Sequence, residues 1–230
     1  MRNRHIITRG LSLLLVVTIP LAILLISSAC VLHMPQTYEY YFNDSESLER
    51  IGYGVEVSEM GDAISDYLLM PRTEPFQVYE QNGEYRDPIF SEADQEVMTR
   101  AGKFLFKETA AGVLFLLVSV LLFFDTKRKK LIGLLWGESI AAAVVTGVLY
   151  LLQYGVLTGE STLHALYNRI IGITLPKTSN LHLILGDGGI AGVYLMFMTV
   201  LAAALLALYL YIAYRNTRPE RVFYVRRKYQ

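Results

Sequence analysis

A chain of 230 residues that is 53% hydrophobic and only 18% charged exceeds the roughly 45–50% apolar content of an ordinary soluble domain and is composed for a bilayer. Its formal net charge of zero offers no overall basic face of the kind nucleic acid requires. A single cysteine, Cys30, excludes an intrachain disulfide framework and any cysteine-based metal site.

The first predicted element is a span. Leu11 to Val31 carries no charge over about 21 residues, which at about 1.5 Å per residue crosses a hydrocarbon layer roughly 30 Å thick. The basic start and Ser27-Ser28-Ala29-Cys30 also look faintly like a lipoprotein signal. The apolar run is longer than the roughly 7–15 residues of a signal core, however, and the span is the reading adopted.

The segment that follows has no long apolar run but holds seven tyrosines, Tyr38, Tyr40, Tyr41, Tyr53, Tyr67, Tyr79 and Tyr85. This composition suits a small lid on the membrane surface. Ser58 to Met70 reads as a short helix with Met60, Ile64, Tyr67 and Leu68 on one face, stopped by Pro71. Pro75, Asn82-Gly83 and Pro88 mark turns. Ser91 followed by Asp94 is an N-cap pattern that predicts a helix from Glu92, running unbroken into the second span, Ala110 to Phe124, extended outward by Phe104, Leu105 and Phe106.

Leu131 to Leu152 is the third span and Gly189 to Tyr214 the fourth. Between them Leu163, Leu166, Tyr167, Ile170, Ile171 and Thr174 repeat at helical spacing before Pro176, too short to cross, which predicts an interfacial or re-entrant helix. Leu181 to Leu185 and Gly186-Asp187-Gly188-Gly189 follow, Asp187 being a candidate cap for the last span. The fold class expected is an all-α membrane protein: four transmembrane helices, a small extracytoplasmic lid between helices 1 and 2, and a short interfacial or re-entrant helix between helices 3 and 4. Residues 1–33 form the N-terminus and first helix, 34–103 the acidic, tyrosine-rich segment, 104–214 the remaining helices with an outer loop at 153–188, and 215–230 a basic tail.

Charge gives the direction. Lysine and arginine gather at Arg2, Arg4 and Arg9, at Lys127 to Lys130, and from Arg215 to Lys228. If every span is crossed these clusters share one side, which the positive-inside bias assigns to the cytoplasm, with both termini. Met34 to Thr109 carries 16 acids against 6 bases, as suits an outward-facing segment.

Few residues here carry chemistry. His33, His164 and His182 map to the outer face, and histidine is the side chain that exchanges protons near neutral pH. His164 and Asn168 are four apart and share a helix face. The histidine spacing matches no metal motif, and neither a metal nor a cofactor is expected. Glu138 is read as the ionisable residue well inside a span, where a packing role with a polar partner is expected.

The order of short motifs resembles a family. Ile64 to Pro71 (ISDYLLMP), Phe90 to Met98 (FSEADQEVM) and Leu163 to Tyr167 (LHALY) are similar to stretches of the lipoprotein intramolecular transacylases of Gram-positive bacteria. The resemblance implies acyl transfer from the glyceryl ester of a membrane lipoprotein to the amine of its N-terminal cysteine. It makes His164 the acid/base residue, and it implies a membrane lipid or diacylglyceryl lipoprotein as partner. The family's other histidine aligns with Val97. Either His182 or the neighbouring Glu96 replaces it, with Asn168, Tyr167 and Tyr67 as substrate contacts, or the protein keeps a lipid-binding shape without the reaction. As a non-enzyme the chain would use its lid to bind lipid, peptide or a partner membrane protein, or serve as a small subunit contacting its complex through the basic tail.

Overall fold

The computed structural model describes residues 10, 12–49, 54–70, 74–82, 85–129, 131–159, 179–185 and 189–217. Among the described residues four helices are long and apolar enough to cross a membrane: α1 (Leu15–Leu32), α4 (Glu92–Arg128), α5 (Ile132–Leu157) and α7 (Gly189–Thr217). Between α1 and α4 lie α2 (Pro35–Ser45), α3 (Val57–Leu69) and an antiparallel hairpin of β1 (Tyr79–Asn82) and β2 (Tyr85–Pro88). The short α6 (Asn180–Leu185) precedes α7.

α1 is apolar on every side, which suits a helix surrounded by others. Of its most hydrophobic window 61% is buried inside the protein, against 22%, 11% and 17% for α4, α5 and α7, so α1 is the central helix. It packs on all three. The closest approach is to α4 at Gly112, where a Cβ would meet Leu25 Cβ at 3.1 Å and the Ile26 backbone nitrogen at 3.3 Å. Small residues permit such contacts in membranes, where apolar packing has no solvent to drive it. Next to this seam the Ser119 hydroxyl of α4 donates to Thr18 Oγ1 of α1 at 2.8 Å.

The chain alternates direction at each crossing. At one end Ser12 donates to Glu138 Oε1 at 2.6 Å, Ser139 and Tyr209 share a hydrogen bond at 2.8 Å, and Lys127 Nζ donates to Asn216 Oδ1 at 2.7 Å. The start of α1, the end of α4, the start of α5 and the end of α7 therefore meet there, together with the basic side chains of Lys127, Arg128, Lys129 and Arg215. Glu138 is buried with Ser12 as the polar partner that its place in a span requires.

α4 begins at the expected residue for the expected reason. Ser91 Oγ accepts the Asp94 N–H, and the Asp94 carboxylate accepts the Ser91 N–H at 3.0 Å, a reciprocal cap. At about 1.5 Å per residue its 37 residues extend ~55 Å, longer than a hydrocarbon layer of roughly 30 Å requires, and its first turns pack among the elements of the α1–α4 segment.

Those elements enclose one core, in which Tyr38, Phe42, Met60, Ile64 and Phe76 are fully buried. α2, which no apolar run announces, forms because Pro35 sits in its first turn and because Tyr38, Tyr41 and Phe42 fall on one face. The hairpin adds strands to the turn expected at Asn82-Gly83. Before it, Gln77 uses both ends of its amide on Phe90, donating to the carbonyl and accepting from the N–H, each at 3.0 Å. α6 joins the same core through Leu181 and Ile184, and Asn180 Nδ2 donates to the Ile89 carbonyl at 2.6 Å. Asp187 and the helix expected over Leu163–Thr174 lie outside the described residues.

Candidate functional site at the lid end of the bundle

Three of the candidate residues, His164, Tyr167 and Asn168, also lie outside the described residues. The others are placed by α3, α4 and α6. His182 is half-buried on α6, where its backbone N–H donates to Ser179 Oγ at 3.1 Å. Glu96 points into solvent from α4 and forms an ion pair with Arg100 one turn on. Val97, where the family pattern has histidine, instead packs against the lid core. Tyr67 is buried, its ring edge-on to Phe76 at 5.1 Å, and its hydroxyl donates to the Glu74 carbonyl at 3.2 Å and meets Thr99 Oγ1 at 3.0 Å. Glu96 thus faces water while Tyr67 and Val97 face the lid interior.

His33, at the end of α1, is 3.0 Å through Nε2 from the Leu68 carbonyl of α3. A carbonyl only accepts, so Nε2 is the donor in this contact. Among the described residues no group of three histidine, cysteine or carboxylate side chains is arranged to hold a metal.

Beneath the lid lies a polar chain that sequence reading missed. Gln153 Nε2 of α5 donates to the Tyr194 hydroxyl of α7 at 3.0 Å, and Tyr194 donates to Ser28 Oγ of α1 at 2.8 Å, with the Glu108 carboxylate of α4 nearby. Three spanning helices are joined in this way, and the Tyr194 hydroxyl both accepts and donates. Close by, Tyr150 and Thr199 join α5 to α7 through their hydroxyls.

On the flank of this chain α5 and α7 separate around a cavity of about 510 Å³. Tyr150, Tyr154 and Thr158 line it from α5, and Gly192, Met196 and Thr199 from α7. Gly192 has open space where a side chain would stand. Apolar walls with a few hydroxyls suit a ligand that is mostly hydrocarbon with a polar end. The cavity lies at the end of α5 from which residues 160–178, with His164, Tyr167 and Asn168, continue the chain.

No protein-family model and no curated protein matches the chain. Among solved structures it is similar to the membrane-integral lipoprotein intramolecular transacylase Lit from Bacillus cereus, determined in meso. The two are 14% identical, with a TM-score of 0.65 over 91% of this chain and 97% of that one. The likeness to the transacylases seen in the motifs thus extends to the fold. This chain carries the fold of that transacylase over nearly its whole length.

Proposed function

We propose that the chain is a divergent lipoprotein intramolecular transacylase of the cell membrane. In this reading both termini lie in the cytoplasm, and the enzyme moves an acyl chain from a glyceryl ester to the N-terminal amine of the same lipoprotein at the outer leaflet. The observation that carries the reading is the shared fold over nearly the full length of both chains, joined to a motif order that leaves His164 at the family's outer-loop position. The basic side chains at the end opposite the lid support the orientation.

The chemistry follows from the substrate. The amine nitrogen attacks the ester carbonyl, a C–N bond forms, the C–O bond to glycerol breaks, and the amine proton ends on the glyceryl oxygen. His164 takes that proton and returns it. In this reading His182 and Asn168 give polar support and Tyr167 contacts the substrate, while Tyr67 stays in the core of the α1–α4 segment, its hydroxyl held by Glu74 and Thr99. Nucleophile and ester belong to one molecule, so a cavity that holds them together supplies much of the rate by orientation. The hydroxyl-lined space between α5 and α7 is where this reading seats the lipid.

A second reading has its own observation. Val97 packs into the lid core where the family pattern has a histidine, which favours a relative that binds lipid, peptide or a partner membrane protein through the lid and does not turn over. Mass spectrometry of lipoprotein N-termini from cells with and without the chain separates the two. Lyso N-acyl forms that appear with the wild type and vanish with His164→Ala support the enzyme. Unchanged N-termini in both refute it in favour of binding.

A further inference from the structure

At the end of the bundle opposite the lid, α4 and α7 form no packed seam with each other, because α1 stands between them. The result is a groove of about 450 Å³, floored by Ile23 of α1 and walled by Val120 and Phe124 of α4 and by Leu208 and Ile212 of α7. The four wall side chains are 42–60% exposed, so the groove opens sideways to the hydrocarbon.

Its far end is polar. Asn216 lines the groove there and accepts a hydrogen bond from Lys127 Nζ at 2.7 Å. An ammonium has three N–H donors, so this bond leaves Lys127 further donors for a ligand at the polar end of the groove. Arg128 follows Lys127 and Arg215 precedes Asn216. Of the acids described at this end, Asp125 is paired with Lys129 at 2.6 Å and Glu138 is buried, accepting from Ser12. The groove is thus an apolar slot the size of a ligand pocket, ending at the depth of lipid headgroups under a surplus of positive charge.

We propose that this groove binds one anionic phospholipid of the leaflet at the basic end, with an acyl chain between α4 and α7 and the phosphate on Lys127. The site is separate from the lid-end cavity and does not depend on acyl transfer. Lysine snorkels to this level, its stem covering apolar surface while its head reaches the phosphate. A zwitterionic lipid fills the same slot with its chains but gains less from the net charge.

Native mass spectrometry of the full chain, released from micelles holding equal phosphatidylglycerol and phosphatidylcholine, tests this. The wild type retains one phosphatidylglycerol in preference to phosphatidylcholine. Lys127→Gln lowers that preference about fivefold, as expected for one lysine near a membrane surface, and leaves phosphatidylcholine retention unchanged. Leu208→Trp, at an exposed wall position, abolishes retention of both lipids. Val120→Trp on the facing wall does the same and serves if Leu208→Trp does not fold. Equal retention of the two lipids by the wild type, or a preference that survives Lys127→Gln and both tryptophans, overturns the proposal and leaves only lipid that coats any apolar surface.

Discussion

Tyr194 of α7 donates its hydroxyl to Ser28 of α1 at 2.8 Å, joining residues 166 positions apart through a phenol that also accepts from Gln153 of α5. One side chain thereby ties three membrane helices. Tyr194→Phe is expected to leave the Gln153 amide without this acceptor and to cost about 0.6 kcal/mol, the average for hydrogen bonds between membrane helices, and at most about 1.7 kcal/mol. A double-mutant cycle with Ser28→Ala, read by unfolding in detergent, should show coupling, the second substitution costing less once the first is made. Simple additivity would count against the contact.

The α1–α4 seam makes a sharper prediction. Because a Cβ at Gly112 meets Leu25 and the Ile26 backbone at 3.1–3.3 Å, Gly112→Ala should destabilise by about 1–3 kcal/mol through forced separation of the two helices. Gly147 of α5 has nothing within 4 Å of the same position. Gly147→Ala is expected to be neutral or stabilising, by up to about 1 kcal/mol. Thermal unfolding of the two variants side by side checks the contrast.

Loss of the reciprocal cap at Ser91 and Asp94 should act locally. Ser91→Ala is expected to cost about 0.5–2 kcal/mol. Hydrogen exchange should quicken in the first turn of α4 and in the lid while the lower half of α4 stays protected. Uniform loss of protection along α4 would contradict this placement of the cap.

Tyr38 gives the lid a pH limit. Its hydroxyl donates to the Leu32 carbonyl at 2.7 Å in a fully buried site, and burial pushes the phenol well above its ordinary range. A group whose folded pKa is raised holds its proton more tightly when folded. Its contribution is therefore complete below the unfolded value of about 10 and is lost as pH rises beyond it. Lid stability should decline above about pH 10, and Tyr38→Phe should flatten that decline while costing about 1 kcal/mol at neutral pH from the lost hydrogen bond. Far-ultraviolet circular dichroism across an alkaline titration measures both.

The spans were legible because hydropathy over 18 or more residues leaves a chain few alternatives in a bilayer. The start of α4 was legible because a cap is written in two residues three apart. α2 was not, since its buried face is Thr37, Tyr38, Tyr41 and Phe42, of which hydropathy counts only the phenylalanine as strongly apolar. Glu108 escaped for a related reason. It sits between Phe106 and Ala110, where the expected span had its frayed outer edge, and it read as one more acid of the outer segment. Its neighbour Ser28 lies on α1, and Tyr194 and Gln153, linked to Ser28, lie on α7 and α5, so no local pattern joins them. Glu96 was singled out by its place beside Val97 in a motif and His182 as an outer-face histidine, but which way a side chain faces depends on tertiary packing, and α4 turns Glu96 to Arg100 and Val97 to the core.

The most direct test of the account uses the purified chain in vesicles with a synthetic peptide bearing a diacylglyceryl cysteine and a free amine. Intramolecular transfer leaves the mass unchanged but converts one ester into an amide, so mild alkali afterwards should strip one acyl chain and leave the other on nitrogen. The account predicts this base-resistant product with the wild type and its loss with His164→Ala. A substrate that stays fully alkali-labile with the folded wild-type chain would contradict it.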